Sequence, residues 1–310
     1  MKKVMSKILG TSVLTLLLCV MFMANGNALK ANAYYSGRAS NVAQTNPATT
    51  SLTLTWTAAP EAATYQISVS EDAGYEIKGT TSACSFTVRN LTPGKKYDVR
   101  VTAYSKTGED GYSAYAYDLK TLTDRVSGFK QGTWYKSLKK VWLDWDRVGA
   151  ADSYQVTLYN SKNKKVATKT FTGSSTYATF EKLKHETYKA TISATTTING
   201  KKYNSPVTTI YCMQNPTTKT CKISSSKLKL KWQKVTGATG YDIYVSTNYK
   251  SGYKKVKSVK ANTTSATIAK FKKKKFSKSK RYYVIIEAKK KVGNTTYKSG
   301  KGYYSSASRY

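Results

Sequence analysis

Leu52-Thr53-Leu54-Thr55-Trp56 alternates apolar and polar residues up to a tryptophan, and the pattern returns twice, as Val141-Trp142-Leu143-Asp144-Trp145 and Leu228-Lys229-Leu230-Lys231-Trp232. A period of two puts one face of each strand into a core. Nine residues after each tryptophan a tyrosine opens a second alternating strand: Tyr65-x-Ile67-x-Val69, Tyr154-x-Val156-x-Leu158 and Tyr241-x-Ile243-x-Val245. An alanine stands six residues after every tryptophan, at Ala62, Ala151 and Ala238. A third strand recurs from Tyr97 to Ala103, from Tyr188 to Ala194 and from Tyr282 to Ala288. The tryptophans fall 89 and 87 residues apart. That period is the size of a domain and too long for a solenoid repeat. Short strands separated by turn signals such as Pro93-Gly94, Asn199-Gly200 and Gly293-Asn294 predict antiparallel sandwiches.

Each unit resembles a fibronectin type III domain. That family carries a buried tryptophan in its second strand, a tyrosine in its third and a Leu-x-Pro-Gly-x-x-Tyr corner before its sixth. Leu91-Thr92-Pro93-Gly94-Lys95-Lys96-Tyr97 matches the corner in full. Unit two has Leu183 and Tyr188 with one residue fewer, which leaves its corner hydrogen bond open. The resemblance implies an all-β chain of three tandem immunoglobulin-like sandwiches, with Trp56, Tyr97, Trp145, Tyr188, Trp232 and Tyr282 as structural core. The expected boundaries are a signal peptide over 1–33 and domains over 34–122, 123–213 and 214–310. Gly240-Tyr241-Asp242-Ile243-Tyr244-Val245 and its lysine-rich continuation resemble versions in exported proteins of Gram-positive bacteria.

The leader reading rests on Lys2, Lys3 and Lys7, the apolar run from Ile8 to Met23, and Ala31-Asn32-Ala33. The run is shorter than the roughly 20 residues that span a bilayer. Cleavage there would leave a secreted or wall-associated chain with no membrane span.

Charge divides the units. The 310 residues hold 52 Lys and Arg against 16 Asp and Glu, a formal net charge of +36. Hydrophobic residues at 40% exclude a disordered polycation. Residues 34–122 carry 8 basic and 8 acidic residues, 123–213 carry 15 and 6, and 214–310 carry 25 and 2. The densest run holds Lys270, Lys272, Lys273, Lys274, Lys275, Lys278, Lys280 and Arg281. Either it lengthens the connection before Tyr282, counted from Phe271, or Phe276 takes the corner leucine's place and the lysines end the preceding strand. Both readings put it at one end of the third sandwich.

Such a run attracts polyanions through its summed field and counterion release. Lysine lacks the bidentate fork of arginine, so base-specific nucleic-acid recognition is not expected. The partners expected are polyanionic wall polymers or extracellular glycans, with protein partners beside them. The competing reading is a solvated surface that aids solubility.

Catalytic material is sparse. Asp144 and Asp146 share the outer face of one strand, and His185 is the one histidine. No nucleophile elbow, phosphate loop or metal motif is present. No enzyme activity, cofactor or metal is expected. Cys84 alternates with core positions. Cys212 and Cys221 either form a disulfide stapling two domains or stand as unpaired thiols at strand ends. Trp142 points outward, and Trp134-Tyr135 precede its strand. The functional expectation is a non-catalytic adhesion or surface-interaction protein. The alternatives are an architectural spacer and an accessory factor of a glycan-degrading system.

Overall fold

Alternation dictates one buried face per tryptophan strand, and the computed structural model shows what each face packs on. It describes residues 37–132, 140–301 and 304–307. The expected leader, Trp134-Tyr135 and the last three residues lie outside the described residues.

Unit one runs β1 (Ser40–Thr45), β2 (Leu52–Thr57), β3 (Thr64–Ser70), β4 (Glu76–Thr81), β5 (Ser85–Val88), β6 (Lys96–Tyr104) and β7 (Asp110–Lys120). Its sheets are β1-β2-β5 and β4-β3-β6-β7. Unit two follows with β8 (Lys130–Gln131), β9 (Val141–Asp144), β10 (Ser153–Tyr159), β11 (Lys165–Thr172), β12 (Tyr177–Phe180), β13 (Thr187–Ile198), β14 (Lys201–Asn204) and β15 (Thr208–Met213). Unit three has β16 (Thr218–Ser224), β17 (Lys227–Trp232), β18 (Gly240–Ser246), β19 (Lys254–Lys260) and β20 (Ser265–Ile268). It continues with β21 (Lys270–Phe271), β22 (Lys274–Lys275), β23 (Tyr282–Val292), β24 (Thr295–Lys298) and β25 (Ser305–Ala307). The unit-one pattern repeats: β8-β9-β12 faces β11-β10-β13-β14, and β16-β17-β20 faces β19-β18-β23-β24. No helix forms among the described residues.

Each sandwich closes on its own apolar cluster. Trp56, Trp145 and Trp232 sit at the centres, buried, with ring centroids 5.3, 5.4 and 5.5 Å from Tyr65, Tyr154 and Tyr241. The nine-residue spacing has a direct cause. The backbone N–H three residues after each tryptophan donates to the tyrosine hydroxyl: Ala59 to Tyr65 at 3.0 Å, Val148 to Tyr154 at 2.7 Å and Val235 to Tyr241 at 2.9 Å. The alanine six residues on closes a turn onto the same donor residue's carbonyl. Burying a phenol is favourable only when its oxygen is satisfied, and this bond satisfies it.

The corner tyrosines do the same at the sixth strand. Tyr97 accepts the Thr92 N–H at 2.9 Å, and Tyr282 accepts the Ser277 N–H at 3.4 Å. Unit two, with its shorter connection, turns the hydroxyl round: Tyr188 donates to the Lys184 carbonyl at 2.9 Å.

The last strand is broken in units two and three, where β14 then β15, and β24 then β25, pair the same neighbour. A serine marks each break. Ser205 Oγ accepts the Ala194 N–H and Ser299 Oγ accepts the Ala288 N–H, both at 3.0 Å.

The disulfide alternative is corrected. Cys212 and Cys221 are both free. Cys212 is fully buried in the second core, whereas Cys221 packs on the third. Two thiols turned into separate cores cannot meet without unseating both strands. Burial raises the Cys212 pKa and pushes that of Cys221 up to about 12, which leaves both as inert thiols.

Backbone bonds join successive units. Ala150 N–H donates to the Gly94 carbonyl at 2.8 Å, and Thr187 N–H to the Thr236 carbonyl at 2.8 Å. At the second junction His185 Nε2 accepts the Thr217 N–H at 3.3 Å. Burial holds the His185 pKa below its ordinary 6.5, against an interaction with the Gln214 side chain that favours the protonated ring and raises it. The unfolded chain therefore binds more protons as pH falls through that value, and stability falls with it. Melts at about pH 7.5 and about pH 5.5 are expected to show a lower midpoint in acid, and His185→Gln should flatten that part of the difference. An equal pH response in His185→Gln and the parent would exclude the histidine as its source.

Candidate functional site

The basic run is built on the corner of unit three. Phe276 is buried with its ring 4.8 Å from Tyr282, and the N–H that follows it bonds the tyrosine hydroxyl. Phe276 therefore takes the place that Leu91 holds in unit one. The lysines before it form a separate β21-β22 hairpin in which Phe271 pairs with Lys274. Phe271 turns inward onto Tyr282 at 6.4 Å, which anchors the hairpin. The second of the two sequence readings holds, with the difference that the lysines make their own hairpin.

All eight expected cations lie in this one connection. Lys270, Lys272, Lys273, Lys274 and Lys275 are on the hairpin, and Lys278, Lys280 and Arg281 are on the turn into β23; every one is exposed. Among the described residues no carboxylate pairs with any of them. The reason is visible across β18 and β23. Residues 214–310 hold two acidic side chains, Asp242 and Glu287, which face each other in register. Both are buried, with Lys289 Nζ 2.6 Å from Asp242 and Lys298 Nζ 3.4 Å from Glu287. Burial alone would raise the Asp242 pKa, but hydrogen bonds from Lys289 and Ser258 outweigh it and hold the carboxyl below its usual range. Tyr244 donates to Glu287 at 3.1 Å. The unit's negative charge is thus spent inside one network, and the exposed lysines keep their full field.

The hairpin turn carries a local cost. Lys272 and Lys273 both adopt left-handed backbone, with φ of 49° and 64°. Two-residue turns of this kind favour Asn-Gly, because a Cβ at positive φ crowds the following carbonyl. Lys272→Asn with Lys273→Gly is expected to stabilise unit three by about 1–2 kcal/mol in denaturant titration. The same change should weaken retention on an anionic column. Destabilisation would show that the turn is not strained.

Two features went unread in the sequence. Lys227, Lys229 and Lys231 form an outward row on β17, with Lys222 opposite Lys229 on β16. The Lys-Leu-Lys-Leu-Lys alternation signals this row directly. Ser226, beside it, accepts the Phe276 N–H at 3.2 Å and so ties the row's turn to the basic run. The second feature is a group of tyrosines at the same end, where Tyr249, Tyr283 and Tyr304 meet.

Of the residues weighed for catalysis, Asp144 and Asp146 line one open cleft and His185 is not among its lining residues. Asp144 accepts the Trp142 indole N–H, and Trp142 stacks on Tyr177 at 4.5 Å. Asp146 lines the same open cleft with Lys130. His185 lies at the junction of units two and three, remote in sequence from that pair. Among the described residues no group of three metal-ligating side chains occurs. Nor, among the described residues, is any helix long and apolar enough to cross a membrane.

The sheet order of unit one, with its tryptophan, third-strand tyrosine and corner in place, has a counterpart among protein families. Residues 37–118 match the fibronectin type III domain. No curated protein matches the chain. The chain is similar to the crystal structure of the chicken CNTN1 FN1-FN3 domains, at 17% identity and a TM-score of 0.35, covering 87% of this chain and 95% of that one. It is similar also to a two fibronectin type III domain segment from chicken tenascin, at 16% identity and a TM-score of 0.35, covering 57% and 99%. The two later units repeat the strand order of the fibronectin type III domain of unit one and its tryptophan–tyrosine pairing.

Proposed function

We propose that this is an exported, non-catalytic surface-interaction protein whose basic third unit holds it on anionic polymers outside the cell, such as wall polymers or acidic glycans. One observation carries the reading: eight exposed cations share a single connection, while both carboxylates of the unit are sequestered elsewhere. Fibronectin type III domains commonly serve adhesion and protein interaction, and unit one fits that use. The likeness of unit three to exported Gram-positive proteins favours wall polymers as the anion. The test is retention of the exported protein on immobilised heparin and on purified anionic wall polymer at rising salt. The logarithm of the affinity should fall linearly with the logarithm of salt concentration, as counterion release requires. Absent or salt-insensitive retention overturns the reading.

A second reading is an architectural spacer with specific protein contacts. The backbone bonds across both junctions favour it, because they restrain one unit against the next. Unchanged cell-surface localisation after neutralising the hairpin lysines would support the spacer.

A further inference from the structure

The tyrosine group extends the basic site and points to what kind of polyanion it takes. Tyr283 is the second residue of β23 and pairs with Ser246, where β18 ends. The loop leaving Ser246 carries Tyr249, Lys250 and Tyr253, and Arg281 precedes β23 by one residue. The ring cluster and the basic run therefore converge on the same end of the sandwich. Tyr304, beside β25, completes the group.

The rings form a cup and not a stack. Centroids lie 6.1 Å apart for Tyr249–Tyr283, 6.2 Å for Tyr249–Tyr304 and 5.4 Å for Tyr283–Tyr304, with interplanar angles of 54°, 51° and 84°. Tyr249 is 47% and Tyr304 37% exposed, although both are large and semi-apolar. Their wall is held in place: the Tyr253 hydroxyl donates to the Tyr249 carbonyl at 3.0 Å, and Ser246 Oγ donates to the Ser251 carbonyl at 2.6 Å. Lys250 Nζ stands 5.5 Å from the Tyr249 centroid, and Lys254 and Lys255 follow on β19.

We infer that this cup seats a sugar ring of an anionic glycan, with the neighbouring lysines on its carboxylate, sulfate or phosphate groups. This rests on the basic-end reading above. A pyranose offers a C–H face to one ring and hydroxyls to the phenols around it, which suits rings tilted against each other. Successive nucleobases need parallel faces, and no two of these rings are parallel. A quaternary ammonium also suits an aromatic cup, but the surrounding lysines repel it.

The test uses the exported protein, its Tyr249→Ala/Tyr304→Ala variant, and three probes: heparin, inorganic polyphosphate and oligothymidylate. The variant is expected to lose about tenfold in heparin affinity, the worth of two aromatic contacts, and to keep its polyphosphate affinity. Tyr249→Phe should retain most heparin binding. An unchanged heparin affinity, or an equal loss on polyphosphate, overturns the cup while leaving the lysine reading intact. A larger loss on oligothymidylate than on heparin assigns the cup to single-stranded nucleic acid instead. If the parent protein binds no probe at low salt, both readings fall together. A circular dichroism melt of the variant separates loss of binding from loss of fold.

Discussion

Replacing Trp145 by alanine is expected to cost unit two about 3–5 kcal/mol, the range for removing a large aromatic from a core. The indole is 3% exposed, tilted against Tyr154 and edge-on to Phe171, with centroids at 5.4 and 5.7 Å. Its loss also frees the turn that delivers the Val148 N–H to the Tyr154 hydroxyl. A domain is stable by only about 5–15 kcal/mol, so the earliest cooperative transition of the chain should move to much lower denaturant. Trp145→Phe should behave differently. The indole N–H is buried with no partner, as are those of Trp56 and Trp232. Phenylalanine gives up volume but removes that unsatisfied donor, and the two effects oppose each other. The expected cost is under about 1.5 kcal/mol. A Trp145→Ala protein with an unshifted transition would remove the indole from its central role. A Phe variant as damaged as the Ala variant would show that the shape of the indole decides, and neither the retained volume nor the removed donor.

The tryptophan-to-tyrosine spacing was readable because one hydrogen bond fixes it. A donor three residues after the indole must meet a hydroxyl nine residues after it, and three units obey the same geometry. Alternation gave the buried faces for the same reason: strand geometry leaves no other choice. The basic run was readable as a location but not as a shape. Phe271 and Phe276 are equally apolar, and only their packing shows that both reach Tyr282 while the lysines between them turn a hairpin. The fate of Asp242 and Glu287 was hidden for a related reason. They lie 45 positions apart in sequence, and the β18–β23 register is what brings them together. Ser205 and Ser299 likewise look like ordinary polar residues until each accepts a strand N–H at a break. The cysteine alternatives could not be resolved from spacing, since which core a strand end faces depends on where one unit stops and the next begins.

Neutralising the hairpin by Lys272→Gln, Lys273→Gln, Lys274→Gln and Lys275→Gln together should produce the largest loss of binding. The four side chains are exposed and make no ion pair among the described residues, so the fold has little to lose. Relief of mutual repulsion should leave the melting temperature equal or slightly raised. Each lysine near an anionic surface contributes about 1 kcal/mol, so four place an upper bound of about a thousandfold on the loss of affinity. The slope of log affinity against log salt should shrink by about 3–4, since each of the four contacts releases slightly less than one counterion. Lysines of unit two make the necessary comparison. Lys164 and Lys165 stand at the start of β11 and Lys201 and Lys202 on β14, all exposed, and both are edge strands, where charge prevents pairing with another chain. Neutralising those four removes the same formal charge. If net charge alone held the protein on polyanions, the two variants would lose affinity and salt slope equally. If the hairpin is the site, its variant loses far more of both, and the unit-two variant shows instead a greater tendency to self-associate in sedimentation.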